Sequence, residues 1–403
     1  VEFRGFTFES SRACAVKIRG GRNTLVAGCI VRNIDNDTCL VVDGGTNNGV
    51  RSCDISDVGS TGIRIVGGDK STLQPAGNFA VNNHITRYGQ VSHAFNGGVY
   101  CQGVGNIVAH NRIHDAPFSG IQYYGNDHRI EFNEIYDLAH EAGDVGGINT
   151  GADYSDMGTL IRHNYIHDIH GPGEGGCRGI YLDLPGSNTT ISGNIIANVD
   201  IGVFFNSGRD NLVENNLFVN CHPAIGIYRW PHMSYFYPGG AWKIVEKLLA
   251  VKYTLPPYSV RYPQLPHYLD STDLGMPYGN AVVKNVSLGG TFLDISEGMD
   301  FSHVRVEKNV IGDSVLLVLT KKWTPDYDPY HIGYAGTFTR RDSSIVSELQ
   351  QRGNVLADPL LVDPRAGDLR LQEASPAWKG SFQRIPIEQI GLVVDEYRPT
   401  LAR

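Results

Sequence analysis

The chain has 403 residues, 41% of them hydrophobic and 19% charged, which is the composition of a folded soluble protein and not of a disordered one. Its formal charge of −8 argues against a nucleic-acid role. No stretch approaches the ~18 consecutive apolar residues that a membrane-spanning helix needs.

The chain opens in a strand-like run, Val1-Glu2-Phe3-Arg4-Gly5-Phe6, and so reads as cut from something longer. Its 48 glycines point to many tight turns and little helix. The seven cysteines are an odd number and cannot all pair. Buried free thiols are expected, and no Cys/His spacing suggests a zinc site. No cofactor or metal is expected.

From residue 81 to about 220, short segments of the form apolar-x-Asn-x-Ile recur. They centre on Asn83, Asn111, Asn133, Asn164, Asn194 and Asn216. Cys29 and Cys53 extend the series backward, and Asn309 resumes it later. Each interval also holds a Gly followed by Ile or Val, as in Gly98-Val99, Gly120-Ile121, Gly147-Ile148, Gly179-Ile180 and Gly202-Val203. The shortest interval is 22 residues, long enough for two or three short strands. That is one coil of a parallel β-helix, and the longer intervals are the same coil with a loop inserted. The spacing therefore predicts an all-β chain, a right-handed parallel β-helix spanning 1–403 as a single domain. A leucine-rich repeat is excluded by the absence of its Leu spacing and of helical periodicity.

One helix is predicted, over Gly240 to Tyr253, where Trp242, Val245, Leu248, Leu249 and Lys252 fall at helical spacing. Pro256-Pro257 stops it. It lies in a Tyr- and Pro-rich excursion over 230–279, either a buttress or a lid. The tail over 358–403 is expected to cap the last coil.

Aligning the Gly-Ile strands on their Gly puts the next residue inward and the residues at +2 and +4 outward. The outward strip then reads Arg64/Val66, Tyr100/Gln102, Gln122/Tyr124, Asn149/Gly151, Tyr181/Asp183 and Phe204/Asn206. Stacked aromatics and amides on an open sheet suit sugar rings, which offer C–H faces and hydroxyl edges. Acidic residues gather near two adjacent coils: Asp144 before the Gly147 strand, Asp153 and Asp156 after it, and Asp183 on the next strand. Paired carboxylates are what glycoside hydrolysis requires, one to donate a proton and one to act on water or the anomeric carbon. With strands ~4.8 Å apart and ~3.3 Å per residue, Asp153 and Asp183 are expected roughly 8 Å apart. Asp144 comes near Asp183 only if the turn before Gly147 folds back. His114-Asp115 and His167-Asp168 recur at one place in their coils and suggest a structural turn role. His140 and Glu141, in the loop leading to Asp144, and Arg178 are better placed as pocket residues.

The ordered set Gly125-Asn126-Asp127-His128, Phe132-Asn133-Glu134-Ile135, Gly143-Asp144-Val145-Gly146, Asn164-Tyr165-Ile166-His167-Asp168 and Gly179-Ile180-Tyr181-Leu182-Asp183 resembles glycoside hydrolase family 141. So do Gly67-Gly68-Asp69, Arg261-Tyr262-Pro263 and Ser375-Pro376-Ala377, so that the likeness runs over nearly the whole chain. The resemblance implies a right-handed β-helix that hydrolyses carbohydrate, with α-L-fucosidase and xylanase among the family's activities. Its proposed pair of catalytic aspartates maps onto Asp144 and Asp183, with Asp153 in reserve. Two departures fall at this site: Leu184 stands where the family has a second Asp, and Ala152-Asp153-Tyr154 where it has Arg-Asp-Trp. The expectation is thus an exo-acting glycoside hydrolase of plant or algal cell-wall glycans, working outside the cytoplasm. Tyr124, Gln122, His140, Glu141, Asn149, Arg178, Tyr181, Asn206 and Tyr228 would contact the sugar. An endo-acting, xylanase-like hydrolase, a polysaccharide lyase or epimerase, and a non-catalytic carbohydrate-binding solenoid are the rival expectations.

Overall fold

The structure is a computed structural model describing residues 1–35, 38–173, 176–230, 234–296, 299–312, 318–321 and 343–401. Of the spans expected above, residues 231–233 and 402–403 lie outside the described residues. Each coil gives one short strand to each of three parallel sheets, which hold 11, 12 and 11 strands. The first sheet runs from Glu2–Arg4 to Val304–Glu307, the second from Thr7–Ser11 to Val355–Leu356, and the third from Val16–Arg19 to Val318–Lys321. The chain is a right-handed parallel β-helix. Among the described residues, no helix is long and apolar enough to cross a membrane.

The inward positions stack one above another. In the third sheet Ile63, Val99, Ile121, Ile148, Ile180, Val203 and Ile225 pair in register, all fully buried. A parallel sheet with every strand covered on its inner face needs this unbroken apolar column. A glycine before each of these except Ile225, which follows Ala224, marks a corner. A Cβ on Gly179 would lie 2.7 Å from the Gly202 carbonyl oxygen and 3.0 Å from Ile196, so only glycine fits there.

The asparagine ladder is continuous. The backbone N–H and side-chain Nδ2 of Asn133 both donate to Oδ1 of Asn164, and Asn164 does the same to Asn194. Each Nδ2 also donates to carbonyls of its own or the preceding coil, such as Ile130 O for Asn164. The ladder runs on through Asn285 and Asn309 to Asn354. Cys53 takes its place in it, its backbone N–H donating to Asn83 Oδ1. All seven cysteines are free thiols.

A second ladder, not anticipated, lies at the turn entering the first sheet. Asn48, Asn78 and Asn106 are linked N–H to Oδ1, and Asn106 N–H then donates to His128 Nδ1. Further along, Thr189 and Asn211 donate to Asn211 and Asn280. His128 is therefore a buried ladder member, and burial lowers its proton affinity to a pKa of about 4.

The excursion holds the helix Ile244–Ala250, shorter than its periodicity predicted, and a second short helix, Tyr258–Arg261. Ile244, Val245, Leu248, Tyr258, Tyr262 and Leu265 bury themselves against Tyr154, Met157 and Leu184. A further helix, Ser343–Gln351, was not foreseen, and its Leu349 is buried in the main core.

The tail takes a different course from the one expected. A hairpin, Leu361–Asp363 with Asp368–Leu371, and the residues Ala377, Phe382 and Ile385 cover an apolar outer patch of the second sheet formed by Ile195, Leu217, Val286 and Val310. The chain then runs back towards the first coils. Gln383 bonds Asn215, Gly391 bonds Phe132, Val393 bonds Asn82, and Asp395 bonds Arg51 and Ser52. The tail is thus a strap along the side, because the outward Ile and Leu of the second sheet need cover.

The repeated histidines of the second sheet form an outer stack: His84, His114, Tyr136 and His167 follow one another with ring centroids 5.1, 4.7 and 4.8 Å apart. His84 and His114 face each other through Nε2 atoms 2.8 Å apart, so only one proton fits between them. Burial, then the His114 charge, lowers His84 to a pKa of about 4 from its ordinary 6.5, against the opposing pull of Asp54 and with further lowering by Arg112 and Arg398. The unfolded chain therefore binds more protons between these values, and stability should fall as pH drops from about 6.5 towards about 4. A melting-temperature profile should show this slope, and His84→Phe, which keeps the stack, should reduce it, leaving the share due to the buried His128. An unchanged slope would assign the acid sensitivity elsewhere.

Candidate active site

The outward face of the third sheet is the floor of the site. Its strands place Tyr100, Gln122, Asn149, Tyr181 and Phe204 side by side in one row. Gln102 pairs with Tyr124, and Asn206 with Tyr228, in the next row. The excursion stands at one side of this floor, packed on the loops that follow the strands.

Asp183 ends its strand in that second row. Its Oδ1 accepts three hydrogen bonds: from Tyr181 Oη at 2.9 Å, Asn206 Nδ2 at 2.8 Å and the Leu184 backbone N–H at 2.8 Å. Oδ2 is left to carry a proton. Burial raises the Asp183 pKa above its ordinary value, and the Asp144 charge raises it further, while the three donors pull the other way. The orientation of Asn206 is itself fixed, because its Oδ1 accepts from Trp230 Nε1.

The turn before Gly147 does bend Asp144 towards this face. Arg178, only 3% exposed, binds the turn: its Nη1 donates to the carbonyls of Gly143 at 2.8 Å and Gly176 at 3.1 Å, and lies 3.2 Å from Asp144 Oδ1. The guanidinium covers the rings of Tyr181 and Phe204 at 4.7 and 5.1 Å. Asp144 itself is open to solvent, its side chain 64% exposed. A half-buried carboxyl of raised pKa and an open carboxylate held by an arginine thus share one face. Environments that push two carboxyls apart in this way suit an acid and a second carboxylate.

Asp153 has other partners. Lys70 Nζ lies 2.8 Å from Asp153 Oδ2 and 2.5 Å from Asp156 Oδ1. Asp153 Oδ1 also accepts from Ser155 N and Oγ. Asp156 is pushed up to about 6 by burial and by the Asp153 charge, with Lys70 opposing. This cluster ties the loop after Gly67 to the loop after Gly151, and Lys70 was not singled out from the sequence because its loop carries no repeat signal.

The expected sugar contacts divide. Tyr124 is half-buried on the floor, 5.5 Å from the Tyr100 ring, and Asn149 is half-buried between Gln122 and Tyr181 with an Oδ1 that has no hydrogen-bond partner among the described residues. Gln122 and Tyr228 are buried, and Tyr228 Oη donates to Asp294 Oδ2 at 2.6 Å. Tyr181, Asn206 and Arg178 are engaged with the two carboxylates. His140 and Glu141 are paired elsewhere, with Asp137 at 3.0 Å and His93 at 2.7 Å. Asp115, Asp137 and His140 bring one ligand atom each to within 4.8 Å of one another, an exposed group able in principle to hold a metal.

The family described as a right-handed beta helix region matches residues 97–234. No curated protein matches the sequence. Three solved structures are similar in fold. A glycoside hydrolase shares 18% identity over 53% of this chain and 37% of its own, with a TM-score of 0.34. XylC in complex with xylose shares 13% over 81% of this chain and 53% of its own, at 0.41. A PL6-family polysaccharide lyase from Pseudopedobacter saltans shares 11% over 97% of this chain and 95% of its own, at 0.37. The chain thus spans about a third of the first of these and half of the second.

Proposed function

We propose that this protein is a glycoside hydrolase in which Asp183 is the general acid and Asp144 the second carboxylate. The observation that carries the reading is the pairing of a half-buried carboxyl of raised pKa, held by three donors, with an open, arginine-held carboxylate on one outward sheet face. Asp183 donates its proton to the leaving oxygen as the glycosidic bond breaks. Asp144 acts on water or on the anomeric carbon. Tyr181 and Asn206 hold Asp183 in place, and Arg178 holds Asp144. The resemblance to glycoside hydrolase family 141 puts exo-acting α-L-fucosidase first and xylanase second, on cell-wall glycans met outside the cytoplasm.

A panel of aryl glycosides with plant and algal polysaccharides tests this. Hydrolysis of an aryl α-L-fucoside is expected. Because the pKa of Asp183 is raised, activity should persist above the pH at which an ordinary aspartate ionises, and then fall as Asp183 loses its proton. Release of a product that absorbs in the ultraviolet through a new double bond would identify a lyase instead. Glycan binding with no turnover on any member would make the protein a binding solenoid.

A further inference from the structure

We propose that the groove is one-ended: the glycosidic bond to be cleaved lies at Asp183, at the closed end, and the rest of the glycan lies over the coils that precede it, stacked on Tyr124 and Tyr100. This rests on the glycosidase reading and adds a direction to it. The row that holds Asp183 changes character at that residue. On the C-terminal side Asn206 and Tyr228 are buried, at 6% and 9% exposure, and both spend hydrogen bonds inside the protein, on Asp183 and Asp294. Phe204 and Asp294, in the neighbouring row, are buried as well. On the N-terminal side Gly151, Tyr124 and Gln102 are only half-buried; in the neighbouring row Asn149 and Tyr100 are half-buried and Arg64 is exposed, with Gln122 buried between them. A sugar chain can pass over the second set and not over the first.

The open side also has the right shape. Gly151 stands between Tyr124 and Asp183, and a Cβ there would lie 2.8 Å from the Asp183 Cβ. That Cβ would also meet the Asp183 backbone at 3.0 Å, so only glycine fits beside Asp183 on this side. Tyr124 and Tyr100 follow on successive coils with centroids 5.5 Å apart and planes tilted by 38°. The Arg64 guanidinium covers the outer Tyr100 ring at 5.3 Å. Each coil advances by close to the length of one pyranose unit. The ligand class is therefore a neutral oligosaccharide presenting one chain end, held by ring stacking more than by charge.

The test uses Asp183→Asn as a protein that binds without turnover. It is applied to a microarray of plant and algal oligosaccharides graded from disaccharide to hexasaccharide. Retention should rise with length within at least one series. Adding Tyr100→Ala should remove that length dependence, lowering retention of the longer members about tenfold, the equivalent of about 1.4 kcal/mol. Tyr100→Phe, which keeps the ring, should preserve it. Equal retention of short and long members, a length dependence that survives Tyr100→Ala, or its loss in Tyr100→Phe would each overturn the stacked, one-ended groove while leaving the glycosidase reading intact. Retention of no glycan at all would overturn both.

Discussion

Asp183→Asn is expected to lower kcat by about three orders of magnitude, the usual range for loss of a general acid, and to leave the fold at least as stable as the parent. The two halves of this expectation have one cause. The Asp183 carboxyl is half-buried and its desolvation raises its pKa, so the folded state holds the proton more tightly than the unfolded one. Stability is then fully present below the ordinary pKa of 3.8 and is lost as pH rises through the folded value. Asparagine removes that cost, and its Oδ1 can still accept from Tyr181, Asn206 and the Leu184 N–H. The loss of rate should shrink for aryl glycosides with good leaving groups, which need little acid assistance. A variant that loses rate equally on all leaving groups would make Asp183 something other than the acid. A lower melting temperature at neutral pH would mean that the carboxylate serves the fold.

Asn164→Ala should destabilise the solenoid by about 4 kcal/mol, from about 1–3 kcal/mol for a buried group left unsatisfied and about 1 kcal/mol for each further hydrogen bond lost. Oδ1 of Asn164 accepts from the backbone N–H and Nδ2 of Asn133, and its Nδ2 donates to the carbonyls of Ile130 and Arg162. Alanine leaves the Asn133 N–H without its partner and takes one bond each from the Ile130 carbonyl, from the Arg162 carbonyl, which keeps the Phe132 N–H, and from Asn133 Nδ2, which keeps the Val108 and Glu131 carbonyls. Asn198→Gly offers a control: Asn198 has φ 54°, which glycine adopts freely, its Nδ2 reaches only the exposed Asp168 carboxylate, and its loss should cost under about 1 kcal/mol. Chemical denaturation of both variants checks the contrast. Equal costs would show that the ladder adds nothing beyond an ordinary hydrogen bond.

The two ladders explain how far the sequence could be read. The inner asparagines were legible because one residue type performs one task in coil after coil. The second ladder performs the same task with Asn48, Asn78 and Asn106, but His128 and Thr189 then take the place of Asn, so its repeat is interrupted midway. The outward strip was legible because strand alternation has a strict period of two. The direction of the Asp144 turn was not, since it depends on Arg178 binding the Gly143 carbonyl from 35 residues away. The course of the tail was hidden for the same reason: Val393 meets Asn82 across 311 residues. Lys70 finds Asp156 only after the loops of separate coils have been stacked.

The central claim is that the third-sheet face hydrolyses a glycosidic bond with Asp183 as acid. Its most direct test is mass spectrometry of the products that the unmodified protein and Asp183→Asn release in oxygen-labelled water. The unmodified protein should yield a sugar carrying the heavy oxygen, as hydrolysis requires, and Asp183→Asn should yield almost none. An unsaturated product without the label, or full labelled product from Asp183→Asn, would contradict the claim.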